Sequence, residues 1–287
     1  MRNRLWSDMR LRIAVLAAVL ISGGAAYGDR QIVGAQQDHA LSNGAAVSCE
    51  DSFNNTYTIQ PMRVGDQTRH EIDLESATLD IRAVNHGGVV VRGWDEPHVK
   101  MVVCRFAAAN SLDVAHELVE QIVVTSERGL IRATGPAINE TQTWWVNMTL
   151  FVPRRTNLTV RAESGGVAIR DMRARVQASS VSGGISIARS NGRHTVRTES
   201  GGITLDRVSG SVDAKSKDGS IAFKLAAAEE ASLEATTAES GQILCVLERC
   251  NDPLDALTRT SLRLGRSSPR VRLVTGTGSI HISSVKS

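Results

Sequence analysis

The residues able to do chemistry in this chain are four cysteines, seven histidines and a set of charged side chains that recur at a fixed interval. Cys49, Cys104, Cys245 and Cys250 allow three disulfide connectivities. We expect Cys245 with Cys250 as a local loop staple and Cys49 with Cys104 as a clamp holding the N-terminal segment onto the body. There is no C-x-x-C pair and no histidine at ligand spacing from Cys245 or Cys250, so no metal site is expected. His39, His70, His86, His98, His116, His194 and His281 are scattered singly and read as surface or turn residues. A P-loop, dinucleotide fingerprint, nucleophile elbow and HExxH helix are all missing from the sequence, and no cofactor is expected. The sharpest catalytic candidates are Glu163 and Glu199. They fall in one column of the repeat described below, two coils apart, hence about 9.6 Å at the strand spacing. That is the loose end of the range for an inverting carboxylate pair. Arg161 and Arg197 lie beside them and Val181 between them, which favours a ladder of solvated charge pairs over catalysis.

Charge is unevenly spread. Between Arg154 and Lys224 there are 13 basic and 6 acidic residues; between Leu225 and Thr258 there are 1 and 7; from Arg259 to Ser287 there are 6 and none. Arg161, Arg189, Arg197, Arg207 and Lys215 are therefore candidate contacts for an anionic polymer or lipid headgroup. Trp144 and Trp145 are adjacent, so on a strand one faces the core and the other solvent, where it could serve as a glycan platform. Unlike charge on successive segments also permits head-to-tail self-association through a heterologous interface, with Glu229, Glu230 and Glu234 on the acidic side.

What positions these side chains is an eighteen-residue repeat. A glycine doublet followed by alternating apolar residues appears as GGVAI from Gly165, GGISI from Gly183, GGITL from Gly201 and, as a variant, GSIAF from Gly219. On that period Val167, Ile185, Ile203 and Ile221 form one column, and Ile169, Ile187, Leu205 and Phe223 a second. Val160, Ala178, Val196 and Ala214 form a third. Each unit thus holds two short strands of period two joined by Ser-Gly or Asp-Gly turns. So short a unit cannot bury its apolar face alone; stacking makes a continuous aliphatic core. The expected fold is all-β, a single-chain β-solenoid with coils of about 18 residues, each glycine supplying a positive φ or a tight corner. Weaker copies occur at GGVVV from Gly87 and GLI from Gly129. Downstream, SGQIL from Ser240 implies an insertion around residues 226–230, and GSIHI from Gly278 ends the chain.

One segment breaks the β pattern. Leu112, Ala115, Leu118, Val119 and Ile122 share a helical face behind Asn110 or Ser111 as N-cap, predicting one short amphipathic helix that protects a solenoid edge. At the start of the chain, Arg2, Arg4, Arg10 and Arg12 precede an apolar run from Ile13 to Ile21 and then small residues, which reads as a signal peptide over 1–28. The run is shorter than the roughly 20 residues of a spanning helix, and no later stretch is long enough, so no transmembrane segment is expected after cleavage. Cleavage leaves 33 basic residues less four arginines and 30 acidic less Asp8, that is 29 of each. This excludes a uniformly basic nucleic-acid binder. Residues 29–70 carry no clear repeat and read as a partly ordered lead-in to a domain over 71–287.

The stretch FVPRRTNLTVRAESGGVAI, from Phe151 to Ile169, resembles the opening strand of the bacterial putative-adhesin family DUF4097. The shared pattern is a Val-Pro step, a polar gap, alternating apolar residues and repeated Ser-Gly-Gly turns. The helix at Ser111 followed by a Gly-Leu-Ile strand fits it, as does RVRLVTGTGSIHI from Arg270 to Ile282. The four cysteines and Trp144-Trp145 depart from it. The resemblance implies an extracytoplasmic β-solenoid of the cell envelope, periplasmic, surface-exposed or secreted, and brings no catalytic motif. The expected function is a non-enzymatic adhesin-like binding or scaffold protein, its partner an envelope polymer, a glycan or a protein. The alternatives are a β-helix carbohydrate-active enzyme and a self-assembling structural protein.

Overall fold

The structure, a computed structural model, describes residues 49, 62–72, 77–225, 231–238, 241–247, 250, 260–265 and 268–285. The proposed signal peptide, the 226–230 insertion, Glu229, Glu230 and, in the lead-in, residues 29–48 and 50–61 lie outside the described residues; residues 62–70 of the lead-in belong to a strand of the first sheet. The chain divides into two units, Met1–Asn54 and Asn55–Ser287. Cys49, in the first, is disulfide-bonded; the second unit is the solenoid.

Its strands form two ten-stranded sheets. The first runs, neighbour to neighbour, β1 (Met62–Ile72), β4 (Val99–Ala109), β7 (Thr143–Pro153), β3 (Val89–Trp94), β9 (Val167–Arg170), β11 (Ile185–Ala188), β13 (Ile203–Asp206), β15 (Ile221–Leu225), β20 (Ile280–Ser284) and β17 (Ile243–Cys245). The second runs β18 (Ser261–Leu264), β16 (Ser232–Thr237), β19 (Arg270–Thr275), β14 (Ser209–Ser216), β12 (Asn191–Thr198), β10 (Val176–Ser180), β8 (Asn157–Ala162), β2 (Thr78–Ala83), β6 (Leu130–Thr134) and β5 (Val123–Glu127). From β8 to β15 the chain alternates between sheets, one strand in each per coil, all parallel to their neighbours. The three aliphatic columns pair as the eighteen-residue period predicts: Ile185 with Val167 and Ile203, Ile187 with Ile169 and Leu205, Ala178 with Val160 and Val196. These side chains are buried almost completely. Each large aliphatic so placed contributes about 1.5–3 kcal/mol, which is how a coil too short to fold alone is held by its neighbours.

The glycine doublets work by closeness rather than by backbone sign. None of Gly165, Gly183, Gly201 and Gly219 has a positive φ. Instead they stack directly on one another, so that a Cβ on Gly201 would fall against the carbonyl of Gly183, and one on Gly219 against that of Gly201. Beside this ladder runs a second one that the sequence reading missed. Ser180, Thr198, Ser216, Thr275 and Thr237 are buried polar residues in one column, three positions before the glycine of each coil and, for Thr237, four before Gly241. Their hydroxyls close the corner: Thr198 Oγ1 donates to Gly201 O at 2.8 Å, Ser216 Oγ to Gly201 O at 3.0 Å, and Thr275 Oγ1 to Gly219 O at 2.6 Å. The Gly183 N–H donates to Ser180 Oγ at 2.9 Å.

The opposite corner is made differently. Asp171, Arg189 and Arg207, one per coil, take left-handed backbone with φ of 62°, 47° and 52°. Met172, Ser190 and Val208 follow them and turn inward. Arg189 holds Asp171 through two bonds of 2.8 and 3.0 Å, and Arg207 pairs with Asp206 at 2.9 Å. Just past this corner, His194 departs from its expected surface position. It occupies the core column between Val176 and Val212 and is fully buried. Neither ring nitrogen reaches a hydrogen-bond partner of good geometry. Burial pushes its pKa down to about 4, opposed by the backbone at Gly192 and Ser211.

Coil order at the ends does not follow chain order. The last coil, β19 and β20, lies between the coil of β14 and β15 and that of β16 and β17. Its turn, Thr275-Gly276-Thr277-Gly278, reproduces the hydroxyl and glycine of the Ser216 to Gly219 turn, and a Cβ on Gly278 would meet Gly219 O. Gly241 then stacks on Gly278. The doublet spacing of 18 is broken between Gly219 and Gly241, and the coil that restores the turn is the one that docks. At the other end β2 and β3 lie between β6 with β7 and β8 with β9 in the same way. Both ends of the second sheet close with antiparallel strands, β5 and β18.

Helix α1 (Leu112–Glu120) starts at Ser111, whose Oγ accepts from the Val114 N–H at 3.3 Å. It packs against β4 and β1, burying Ala115, Leu118 and Val119, with Ile122 buried just beyond it. Leu112, expected on that face, is 49% exposed because it sits in the first turn, ahead of the packed residues. Among the described residues, no helix is long and apolar enough to cross a membrane.

Candidate functional site

On the outer face of the second sheet, side chains at the strand ends nearest the glycine corner form one column: Arg82, Arg161, Ser179, Arg197, Lys215 and Val274. The next outward column, two residues earlier, holds Asp80, Thr159, Gln177, Thr195, Asp213 and Arg272. This register decides which cations are engaged. Arg161 Nη1 donates to both oxygens of Asp80, at 2.7 and 2.8 Å, and Arg82 reaches the same carboxylate at 3.0 Å. Arg197 is clamped by the Asp213 carboxylate, the Asp213 carbonyl and its own chain at Val196 O. The acid partners are thus Asp80 and Asp213, not Glu163 and Glu199 as the column argument suggested.

Lys215 and, two residues on, the exposed Lys217 have no ion pair or hydrogen bond from their ammonium groups among the described residues. They lie in a groove of about 580 Å³ that follows the corner across four coils, from Ser179 and Val181 past Arg197 and Glu199 to Val274 and Gly276. Small residues make its depth: Gly276 stands where neighbouring coils carry Lys217 and Glu199. Three stacking steps of about 4.8 Å give it a length of about 14 Å parallel to the solenoid axis. Its lining carries three cations against the single carboxylate of Glu199.

The remaining predicted residues are elsewhere. Arg189 and Arg207 lie at the opposite corner, bound to Asp171 and Asp206. Trp144 faces the core, its Nε1 donating to Pro136 O at 2.9 Å; Trp145 faces outward and stacks on Phe106 with ring centroids 5.2 Å apart. Glu163 and Glu199 do fall two coils apart with Val181 between, as the hydrogen bonds of the corner show. Glu163 Oε2 accepts the Asn85 N–H at 2.8 Å, which binds one coil to the next. All described cysteines are oxidised, Cys245 with Cys250, and Cys49 and Cys104 each in a disulfide. No cluster able to hold a metal ion occurs among the described residues.

Residues 42–258 match the Toastrack DUF4097 family. The chain belongs to this family. No curated protein matches it. Among solved structures, the Toastrack chain is similar to a putative cell adhesion protein from Clostridium sporogenes at 10% identity, covering 79% of this chain and 100% of that one, with a TM-score of 0.38. A putative adhesin from Bacteroides fragilis is similar at 11% identity, with 77% and 97% covered and a TM-score of 0.39. So is a putative lipid binding protein from Parabacteroides distasonis at 12% identity, with 77% and 97% covered and a TM-score of 0.30.

Proposed function

We propose that this Toastrack protein is a non-enzymatic, extracytoplasmic binding or scaffold protein of the bacterial envelope that holds an anionic polymer along the glycine-corner groove. The observation that carries the reading is the pair Lys215 and Lys217: two cations without partners, side by side in a groove that runs along the stacking axis. Of the neighbouring arginines, Arg161 is neutralised by Asp80 outside the groove and Arg197 by Asp213 in its wall. A chain of repeated anionic groups laid along the axis would meet the lysines together where it crosses their coil. The oxidised cysteines support an extracytoplasmic setting. The position of Glu163, tied to the backbone of Asn85, weighs against a carboxylate pair cutting a glycan.

The test is binding of the purified protein to an array of anionic and neutral envelope polymers at low and high salt, with reducing-end release followed in the same samples. Binding to anionic polymers that weakens with salt and falls by about tenfold or more, about 1.4 kcal/mol, in Lys215→Glu/Lys217→Glu is expected, with no release of reducing ends. Binding indifferent to the double variant, or cleavage lost in Glu199→Gln, would overturn the reading.

A further inference from the structure

The outer face of the first sheet carries a second constellation that neither the repeat nor the groove explains. Lys100, Phe151 and Arg92 lie side by side on β4, β7 and β3, with Lys100 opposite Phe151 and Phe151 opposite Arg92. At about 4.8 Å per strand the backbone positions of Lys100 and Arg92 are about 9.6 Å apart, with that of Phe151 between them. Trp94, two residues from Arg92 on the same face, brings its ring to 5.6 Å from Phe151 at a tilt of 42°. The indole is fixed in place: Nε1 donates to His98 O at 2.9 Å, and the His98 ring stands edge-on to it at 4.8 Å. With its one polar atom satisfied internally, Trp94 offers an oriented, half-buried apolar surface.

The cations beside this shelf are not consumed by the fold. Arg92 Nε lies 3.9 Å from Asp171, but that carboxylate also accepts from Nε and Nη2 of Arg189. The terminal nitrogens of Arg92 and the Lys100 ammonium have no hydrogen-bond partner among the described residues. Arg154, by contrast, is fastened to Asp95 at 2.8 Å and to the Asp171 carbonyl at 3.1 Å, and walls one side. Its bond to Asp95 holds that carboxyl below the usual range, so the wall stays charged in mildly acid surroundings.

An apolar ring surface between Lys100, which has no ion pair among the described residues, and Arg92, which has one long one, is complementary to a flat, amphipathic ring bearing negative charge at its rim. We propose that Trp94 and Phe151, with Lys100 and Arg92, form a binding site for a pyranose carrying an anionic substituent, the ring face against the aromatics and the anion on a flanking cation. The site is on the other sheet from the groove and is independent of it, because it reads one sugar ring rather than a row of charges.

The probes are methyl glucuronide, glucose 6-phosphate, neutral methyl glucoside and inorganic phosphate, followed by ligand-observed NMR and by quenching of tryptophan fluorescence. Saturable binding of at least one anionic sugar is expected, about tenfold or more tighter than methyl glucoside or inorganic phosphate; which of the two binds identifies the anionic group. Arg92→Gln/Lys100→Gln should reduce it to the neutral-sugar level, Phe151→Leu should weaken charged and neutral sugars alike, and Lys215→Glu/Lys217→Glu should leave it unchanged. Thermal unfolding of each variant checks that the fold is retained. Equal binding of neutral and anionic sugars, competition by inorganic phosphate as strong as by glucose 6-phosphate, binding of neither anionic sugar, or loss in the groove variant would overturn the proposal.

Discussion

At the glycine corner the five buried hydroxyls of Ser180, Thr198, Ser216, Thr275 and Thr237 all bond to the turn beside them. At the arginine corner the buried imidazole of His194 has no such partner, and the turn itself rests on residues in left-handed backbone that are not glycine. The first corner is fixed by atoms that touch within the fold. The second is shaped by φ values that each cost about 1–2 kcal/mol for a side-chain-bearing residue, offset by the packing of Met172, Ser190 and Val208 and by surface ion pairs. Two ways of turning one chain thus alternate every coil; the glycine doublets leave no room for a methyl group at the first, and past the turn of the second Gly192 and Gly210 stack as closely.

The largest expected effect breaks the glycine corner. Gly201→Val sets a side chain against the Gly183 backbone, which cannot yield without parting two coils. The loss should exceed about 4 kcal/mol, seen as disappearance of the cooperative thermal transition. A variant melting near the parent would show that the ladder is looser than described.

Next is the unpartnered imidazole. Because the folded protein keeps His194 neutral to a pKa of about 4 while the unfolded chain protonates near 6.5, the unfolded state binds the extra proton in between. Stability is therefore full above about pH 6.5 and falls as pH drops towards 4, by about 3 kcal/mol in all. Denaturant titrations at pH 7 and pH 4.5 should show the fall in the parent and a flatter profile in His194→Leu, which at pH 7 is as stable as the parent or more so. An equal slope in both proteins would place the acid sensitivity elsewhere.

The smallest effect sharpens the contrast. Arg207→Gly relieves the left-handed backbone but adds glycine's entropy, about 0.5–1 kcal/mol, and removes an exposed ion pair of similar small size. Its stability should stay within about 1 kcal/mol of the parent, or a few degrees in Tm. A collapse like that of Gly201→Val would make the corners equivalent.

The same contrast explains what was legible. Val167, Ile185, Ile203 and Ile221 could be aligned from sequence because the glycine corner accepts almost no other residue and so prints its period. The arginine corner prints little, since Asp171, Arg189 and Arg207 share a backbone conformation but not a residue type. The hydroxyl column was visible in principle as Ser180, Thr198 and Ser216 at steps of 18, and was passed over because serine and threonine are also common on outward faces. His194 was misread because a polar residue standing in a valine column looks like a change of face. Arg161, Arg197 and Lys215 were singled out by charge, but which of them is free depends in part on Asp80, which lies 81 residues from Arg161 and is brought to it by the coil inserted out of order. Trp94 and Phe151 lie 57 positions apart and give no local sign of meeting.

That out-of-order docking has a consequence for synthesis. Strands β16 and β17 leave the ribosome before the coil on which they stack, which is completed roughly 40 residues later. At about 5–20 residues per second the delay is roughly 2–8 s. Through it the edges of β14 and β15 stand open while the segment that follows them has nowhere to dock. The C-terminal coil thus acts as a keystone, and a nascent chain that stalls before residue 270 presents two finished sheets with no end.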